Sequence, residues 1–160
     1  GTGNAYTDNV GLEILPPEFR PAIEEGVREA MMSGVIAGYP VVDIETVVKG
    51  ASFRDGESTP LGYKIAASTA FREGCEAGGP LLLEPIMTVD ILTPSEFMGE
   101  VIGDINARRG EIQSITPKGA VSEIRAKVPL KALFGYSTDL RSATQGRATF
   151  SMHFYRYDKV

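Results

Sequence analysis

The run Ala77-Gly78-Gly79-Pro80 constrains this chain more than any other feature. Two glycines raise the entropic cost of ordering a helix, and a proline without an N–H cannot extend one. The residues before the break follow a helical period and those after it follow a strand-like one, so the break reads as a domain boundary. The 160 residues then fall into units over 1–79 and 80–160, each large enough for one small core.

The second unit has the clearer pattern. Leu81 to Leu92 reads as a strand, and Thr93-Pro94-Ser95-Glu96 has the spacing of a capping box, in which the Thr hydroxyl and Glu carboxylate satisfy free N–H groups reciprocally. Phe97, Val101 and Ile105 give helical spacing that ends at Gly110, with Arg108-Arg109 at the negative end of the helix dipole. Glu111–Thr116 and Ala120–Val128 flank the loop Pro117-Lys118-Gly119 and form a hairpin. A broken helical stretch from Leu130 to Ala143 precedes a strand from Arg147 to Tyr157, in which Ala148, Phe150, Met152 and Phe154 alternate with Thr149, Ser151 and His153. The order β-α-β-β-α-β is that of a split, ferredoxin-like α+β domain.

In the first unit, prolines at 16 and 17 open a helix in which Phe19, Ile23, Val27 and Met31 recur every four residues before Gly34. Val41 to Val48 then reads as a half-buried strand, with Val42, Ile44, Thr46 and Val48 on one face and Asp43 and Glu45 on the other. Lys49 to Ser58 is a polar loop, and Thr59-Pro60 supplies the cap and first-turn proline of a second helix that runs to Ala77. Its small residues, Ala66, Ala67 and Ala70, predict close packing against a sheet.

Chemistry finds little support. No G-x-x-x-x-G-K-[ST] loop for phosphate occurs, so nucleotide hydrolysis is not expected of these residues. One cysteine, Cys75, and one histidine, His153, leave no zinc site and no Cys/His relay, and they read as a packing residue and a sheet-face residue. Neighbouring carboxylates such as Glu24-Glu25 or Asp55 and Glu57 are solvated surface, since a working acid/base pair needs burial to drive the two pKa values apart. No apolar run approaches the roughly 20 residues of a membrane helix, and the expected location is cytoplasmic. The first residue is Gly1 where an initiator Met would stand, which suggests an excised piece of a larger parent.

Charge is uneven. Residues 1–79 carry 12 acidic and 6 basic side chains, and residues 80–160 carry 9 and 10. Any RNA contact is therefore local, since a general clamp on phosphates needs clustered Lys and Arg. Phe53-Arg54, in the loop from Lys49 to Ser58, pairs a ring that can stack on a base with a guanidinium that can pair with phosphate. The competing reading folds Phe53 back on the core.

Several segments together resemble one family. Glu84-Pro85-Ile86-Met87, Val101–Gly110 (Val-Ile-Gly-Asp-Ile-Asn-Ala-Arg-Arg-Gly), Gly135–Ser142 (Gly-Tyr-Ser-Thr-Asp-Leu-Arg-Ser) and Gln145-Gly146-Arg147-Ala148 resemble, in order and spacing, domain V of elongation factor G. Gly38-Tyr39-Pro40-Val41-Val42-Asp43 resembles its domain IV, so the likeness spans nearly the whole chain. The resemblance implies that residues 1–79 are a partial, ribosomal-protein-S5-like domain IV that lacks the opening strands, and that residues 80–160 are the ferredoxin-like domain V. It implies a tip that contacts the tRNA–mRNA complex in the decoding region during translocation, and a domain V near the GTPase centre of the large subunit, so that both ribosomal subunits are partners. GTP and Mg would belong to parent domains I to III, leaving no cofactor, metal or catalytic residue here.

Where the family's tip typically reads Tyr-His-Asp, this chain has Phe53-Arg54-Asp55. The arginine keeps a permanent cation where histidine would be largely neutral. Phe53, Arg54 and Asp55 are thus the expected tip, with Lys49, Ser52, Glu57 and Ser58 as supports and Arg108 and Arg109 as further ribosome contacts. The altered tip also fits a second-type elongation factor G paralogue acting in ribosome recycling or protection. A third reading, a free-standing regulatory domain of ferredoxin-like fold, rests on topology alone.

Overall fold

The structure is a computed structural model that describes residues 2–160. The chain divides into two compact units, Gly1–Leu81 and Leu82–Val160.

The first unit runs β1 (Ala5–Asp8), a short 3-10 turn, α1 (Arg20–Ser33), β2 (Glu45–Val48) and α2 (Pro60–Ala77). Strands β1 and β2 pair in parallel, Ala5 with Glu45 through Asp8 with Val48. A two-stranded sheet has little stability alone, and the helices supply the rest. The periodic residues Phe19, Ile23, Val27 and Met31 are all buried, the first two with Val10 and Leu15 and the last two with Ala30 and Phe71. Cys75 packs against the second of these groups, and burial pushes its thiol pKa up.

Three local readings need correction here. Strand β1 escaped the sequence analysis: its four residues are too few to show a period. Strand β2 begins at Glu45 because Asp43 takes a positive φ of 58°, which no strand accommodates, and the preceding segment is tied down by Asn4 instead. Asn4 Nδ2 donates to Val41 O at 2.8 Å, and its Oδ1 accepts from Ile44 N at 3.1 Å. Finally, Ala66 and Ala70 do not press against a sheet. They are exposed and border a cavity of about 430 Å³ between α2 and β2, lined also by Thr46, Val48 and Phe71.

Close packing occurs between the two helices instead. Gly26 of α1 lies against the α2 backbone so tightly that a Cβ there would sit 2.3 Å from Lys64 O. Lys64 Nζ reaches Glu25 and Glu29 of α1 at 3.2 and 2.8 Å, and Arg72 Nη2 donates to Ser33 Oγ at 2.7 Å. Gly26 beside Lys64 and Ser33 beside Arg72 mean that α1 and α2 run in the same direction, and their N-termini lie at one end of the unit.

The second unit runs β3 (Leu83–Pro94), α3 (Met98–Ala107), β4 (Glu111–Lys118), β5 (Val121–Pro129), α4 (Tyr136–Ala143) and β6 (Thr149–Lys159). Its antiparallel sheet has the order β4-β5-β3-β6. The α+β, ferredoxin-like reading is therefore borne out. Val89, Ile91, Ile124, Ala126 and Val128 on the sheet meet Val101 and Ile105 of α3 and Tyr136 and Leu140 of α4 in one core. The hairpin turns on Gly119-Ala120 alone, since Pro117 and Lys118 still pair in β4.

The expected capping box does not form. Thr93 remains in β3, paired with Ser122, and its hydroxyl contacts Pro94 O at 3.4 Å, while Glu96 bonds Arg147 at 2.5 Å. The strand continues past the point where a cap would need to turn away, so the chain enters α3 through a 3-10 turn at Ser95–Phe97. At the far end of the sheet, Tyr155 of β6 is a bulge without a partner on β3. Met152 and Phe154 are exposed despite sitting on the apolar phase of the alternation.

Two substitutions test this packing. Gly26→Ala is expected to destabilise the first unit by about 1–3 kcal/mol, because the obstacle is backbone rather than a movable side chain; thermal unfolding followed by circular dichroism reads the loss. Tyr136 is buried, and its Oη has no hydrogen-bond partner among the described residues. Burial, with a smaller push from Asp104, raises its phenol pKa. Tyr136→Phe keeps the ring and its edge contact with Phe150, so it is expected to be neutral or stabilising by up to about 1 kcal/mol in urea unfolding.

Candidate functional site

The loop between β2 and α2 holds the expected tip residues and is well ordered by its own bonds. Gly56, at φ 73°, takes the left-handed conformation that lets the chain reverse. Arg54 O accepts from Glu57 N at 3.2 Å and from Ser58 N at 2.9 Å, and Ser58 Oγ accepts from Arg54 N at 2.9 Å. At the exit, Thr59 caps α2 through Gly62 N at 3.1 Å, as its position before Pro60 predicts.

The loop is fastened from beneath by aromatic rings. The common direction of α1 and α2 brings Phe19, at the start of α1, to 5.1 Å from Tyr63 in the first turn of α2, and Phe53 packs on Phe19 at 5.7 Å. Tyr63 Oη lies 2.7 Å from Ser52 O and 3.3 Å from Ser58 Oγ. Phe53 therefore takes the fold-back arrangement, with 38% of its surface still exposed, and a base would have to displace it from Phe19 to stack on its full face.

Arg54 stands at the apex. Its side chain is 80% exposed, and among the described residues it pairs with Glu57, at 3.5 Å. Such a pair in water contributes little and breaks easily, so the guanidinium is available to an outside anion. Asp55 and Glu57 are exposed beside it, and Lys49 is exposed where the loop leaves β2. Ser52 contributes its backbone carbonyl and Ser58 its hydroxyl. Sequence reasoning missed Phe19 and Tyr63, although the cap at Thr59 carries the clue: fixing the first turn of α2 returns residue 63 over the loop.

The two arginines after α3 differ. Arg108 Nε bonds Asp104 at 2.9 Å and Nη1 bonds Ala132 O at 2.7 Å. Its Nη2 pairs with Asp139, and the guanidinium lies 5.0 Å over the Tyr136 ring. With its side chain only 14% exposed, Arg108 joins α3 to the segment leading into α4 and has little left for an outside partner. Arg109 is more open but pairs at 2.9 Å with Glu84, whose side chain is 8% exposed.

Among the described residues no group of three or more His, Cys, Asp or Glu side chains could hold a metal ion. No helix among them is long and apolar enough to cross a membrane. The chain is thus built of two small α+β units, the first carrying an ordered, charged loop and the second a ferredoxin-like sheet with its own core.

The family follows from comparison. The model for elongation factor G, domain IV, matches residues 1–79, and that for elongation factor G C-terminus matches residues 81–160. The chain belongs to the elongation factor G family, as its motifs imply. A protein described as elongation factor G 2, from Syntrophus aciditrophicus (strain SB), is 66% identical over 159 residues, which are 99% of this chain and 24% of that protein. A crystal structure of a protein from Thermus thermophilus superposes with a TM-score of 0.87 at 34% identity, over all of this chain and 24% of its own. The chain thus spans about a quarter of the length of either relative.

The bonds of Arg108 generate a prediction. Arg108→Lys keeps the charge and loses the fork that serves Asp104, Asp139 and Ala132 O together, so it is expected to destabilise the second unit by about 1.5–3 kcal/mol. Urea unfolding of the lysine variant beside wild type reads the difference.

Proposed function

We propose that this chain is the ribosome-binding, C-terminal piece of an elongation factor G, whose loop at residues 49–58 contacts the tRNA–mRNA complex in the decoding region during GTP-driven translocation. The observation that carries the proposal is Arg54, an exposed guanidinium on a braced loop, in a chain that belongs to this family. The residues assigned to the contact are Phe53, Arg54 and Asp55, with Lys49, Ser52, Glu57 and Ser58 around them. Arg109 remains a ribosome contact of the second unit, whereas Arg108 is assigned to its internal architecture.

Nucleotide and magnesium, with the hydrolysis that times the motion, belong to parent domains I to III. The residues of this chain make and break no bond; they bind, orient and transmit. Both ribosomal subunits are partners, and the parent works in the cytoplasm.

A second reading is favoured by one specific pair of observations. Arg54 replaces the histidine expected at the tip, and the relative that is 66% identical is described as elongation factor G 2. That combination supports a paralogue acting in ribosome recycling or protection.

The two are separated in the full-length parent by comparing wild type with Arg54→Ala in single-round translocation, with ribosome binding and multiple-turnover GTP hydrolysis as controls. Loss of one charge-assisted contact is expected to slow translocation on the order of tenfold with both controls intact. A wild-type protein that splits post-termination ribosomes without translocating selects recycling. One that does not bind ribosomes at all refutes both.

A further inference from the structure

One hydroxyl reaches both stems of the loop. Tyr63 Oη lies 2.7 Å from the carbonyl of Ser52 on the incoming side and 3.3 Å from Ser58 Oγ on the outgoing side. Ser58 Oγ also receives the Arg54 N–H at 2.9 Å. A phenol has one proton to donate, and a carbonyl can only accept, so the shorter contact takes it. The longer contact is the secondary branch of the same donor, from Tyr63 Oη to Ser58 Oγ, which also accepts from Arg54 N. Tyr63 Oη thus bridges the Ser52 carbonyl and the hydroxyl that holds the Arg54 backbone.

The Tyr63 ring packs against Phe19 at 5.1 Å independently of the loop, and Tyr63 N donates to Thr59 O at 3.2 Å within the first turn of α2. The partners of the hydroxyl are different. Ser52 and Arg54 are exposed, and water can satisfy both if the hydroxyl is removed. Removing it therefore costs the loop its fixed shape while leaving the core of the unit intact.

We propose that Tyr63 is a positioning residue for the loop: its hydroxyl holds the Arg54 backbone in place and so fixes the direction in which the guanidinium is presented. The inference rests on the ribosomal reading above and adds to it a residue outside the expected tip. It predicts a fault in the step that Arg54 serves, with attachment of the factor unchanged.

The test uses the full-length parent with Tyr63→Phe, which keeps the ring, and Ser58→Ala, which removes the acceptor that Tyr63 and the Arg54 backbone share. Backbone hydrogen exchange over residues 50–58 is expected to rise roughly tenfold in either variant, with an unchanged melting temperature. The maximal rate of single-round translocation is expected to fall roughly three- to tenfold, with the half-saturating factor concentration unchanged. The double variant should be no slower than the worse single one. Unchanged exchange in Tyr63→Phe overturns the bridge. Faster exchange with a wild-type maximal rate overturns the positioning role. A wild-type parent that fails to translocate overturns the translocation reading and the positioning role in that step with it, while the exchange measurement still decides the bridge.

Discussion

The contact between Gly26 and the backbone of Lys64 sets the geometry of the first unit. With only two short strands, that unit cannot rely on a sheet to align its helices. It aligns them directly: the missing side chain lets the two backbones approach, and Lys64 and Arg72 of α2 fix the register against Glu25, Glu29 and Ser33 of α1. Parallel helices in that register place Phe19 and Tyr63 side by side. The loop at residues 49–58 rests on them through the Phe53 ring on Phe19 and the Tyr63 hydroxyl on Ser52 O.

The second unit packs its helices on one face of a four-stranded sheet. Four strands and two helices close one core, and Arg108 joins α3, the turn at Ala132 and Asp139 of α4 around the Tyr136 ring. A charge with its donors so fully engaged is architecture: opening it would leave Asp104 without its partner and a carbonyl unsatisfied.

Sequence legibility followed the length of each pattern. The apolar stripe of α1 and the stop at Gly34 extend over enough residues to be unambiguous, as does the βαββαβ order of the second unit. Strand β1, with four residues, had no such support. The start of β2 was misplaced because the alternation from Val41 to Val48 is blind to backbone dihedrals, and Asp43 at φ 58° interrupts it. Of the small residues in α2, Ala67 alone packs against the core, beside Tyr6 and Val48 of the strands, so the stripe announced the sheet at one position of three. Ala66 and Ala70 border a cavity, and the tight contact falls at Gly26 in the other helix.

The site divides along the same line. Arg54, as an exposed cation in a polar loop, is legible from residue type and position, and so is the cap at Thr59. At Phe53 composition leaves two readings open: an aromatic beside an arginine looks like a stacking pair, and burying part of the ring against Phe19 removes apolar area from water with no partner present. The same burial helps to brace the loop. On the proposed reading, a tip whose aromatic residue braces the loop meets its partner mainly through Arg54, and a guanidinium differs from an imidazole in carrying its charge at every physiological pH. Its pull on a phosphate is then governed by ionic strength rather than by protonation. In such a tip the direction of the charge is the quantity left to control, and the hydrogen bonds of Ser58 and Tyr63 beneath it are suited to that control.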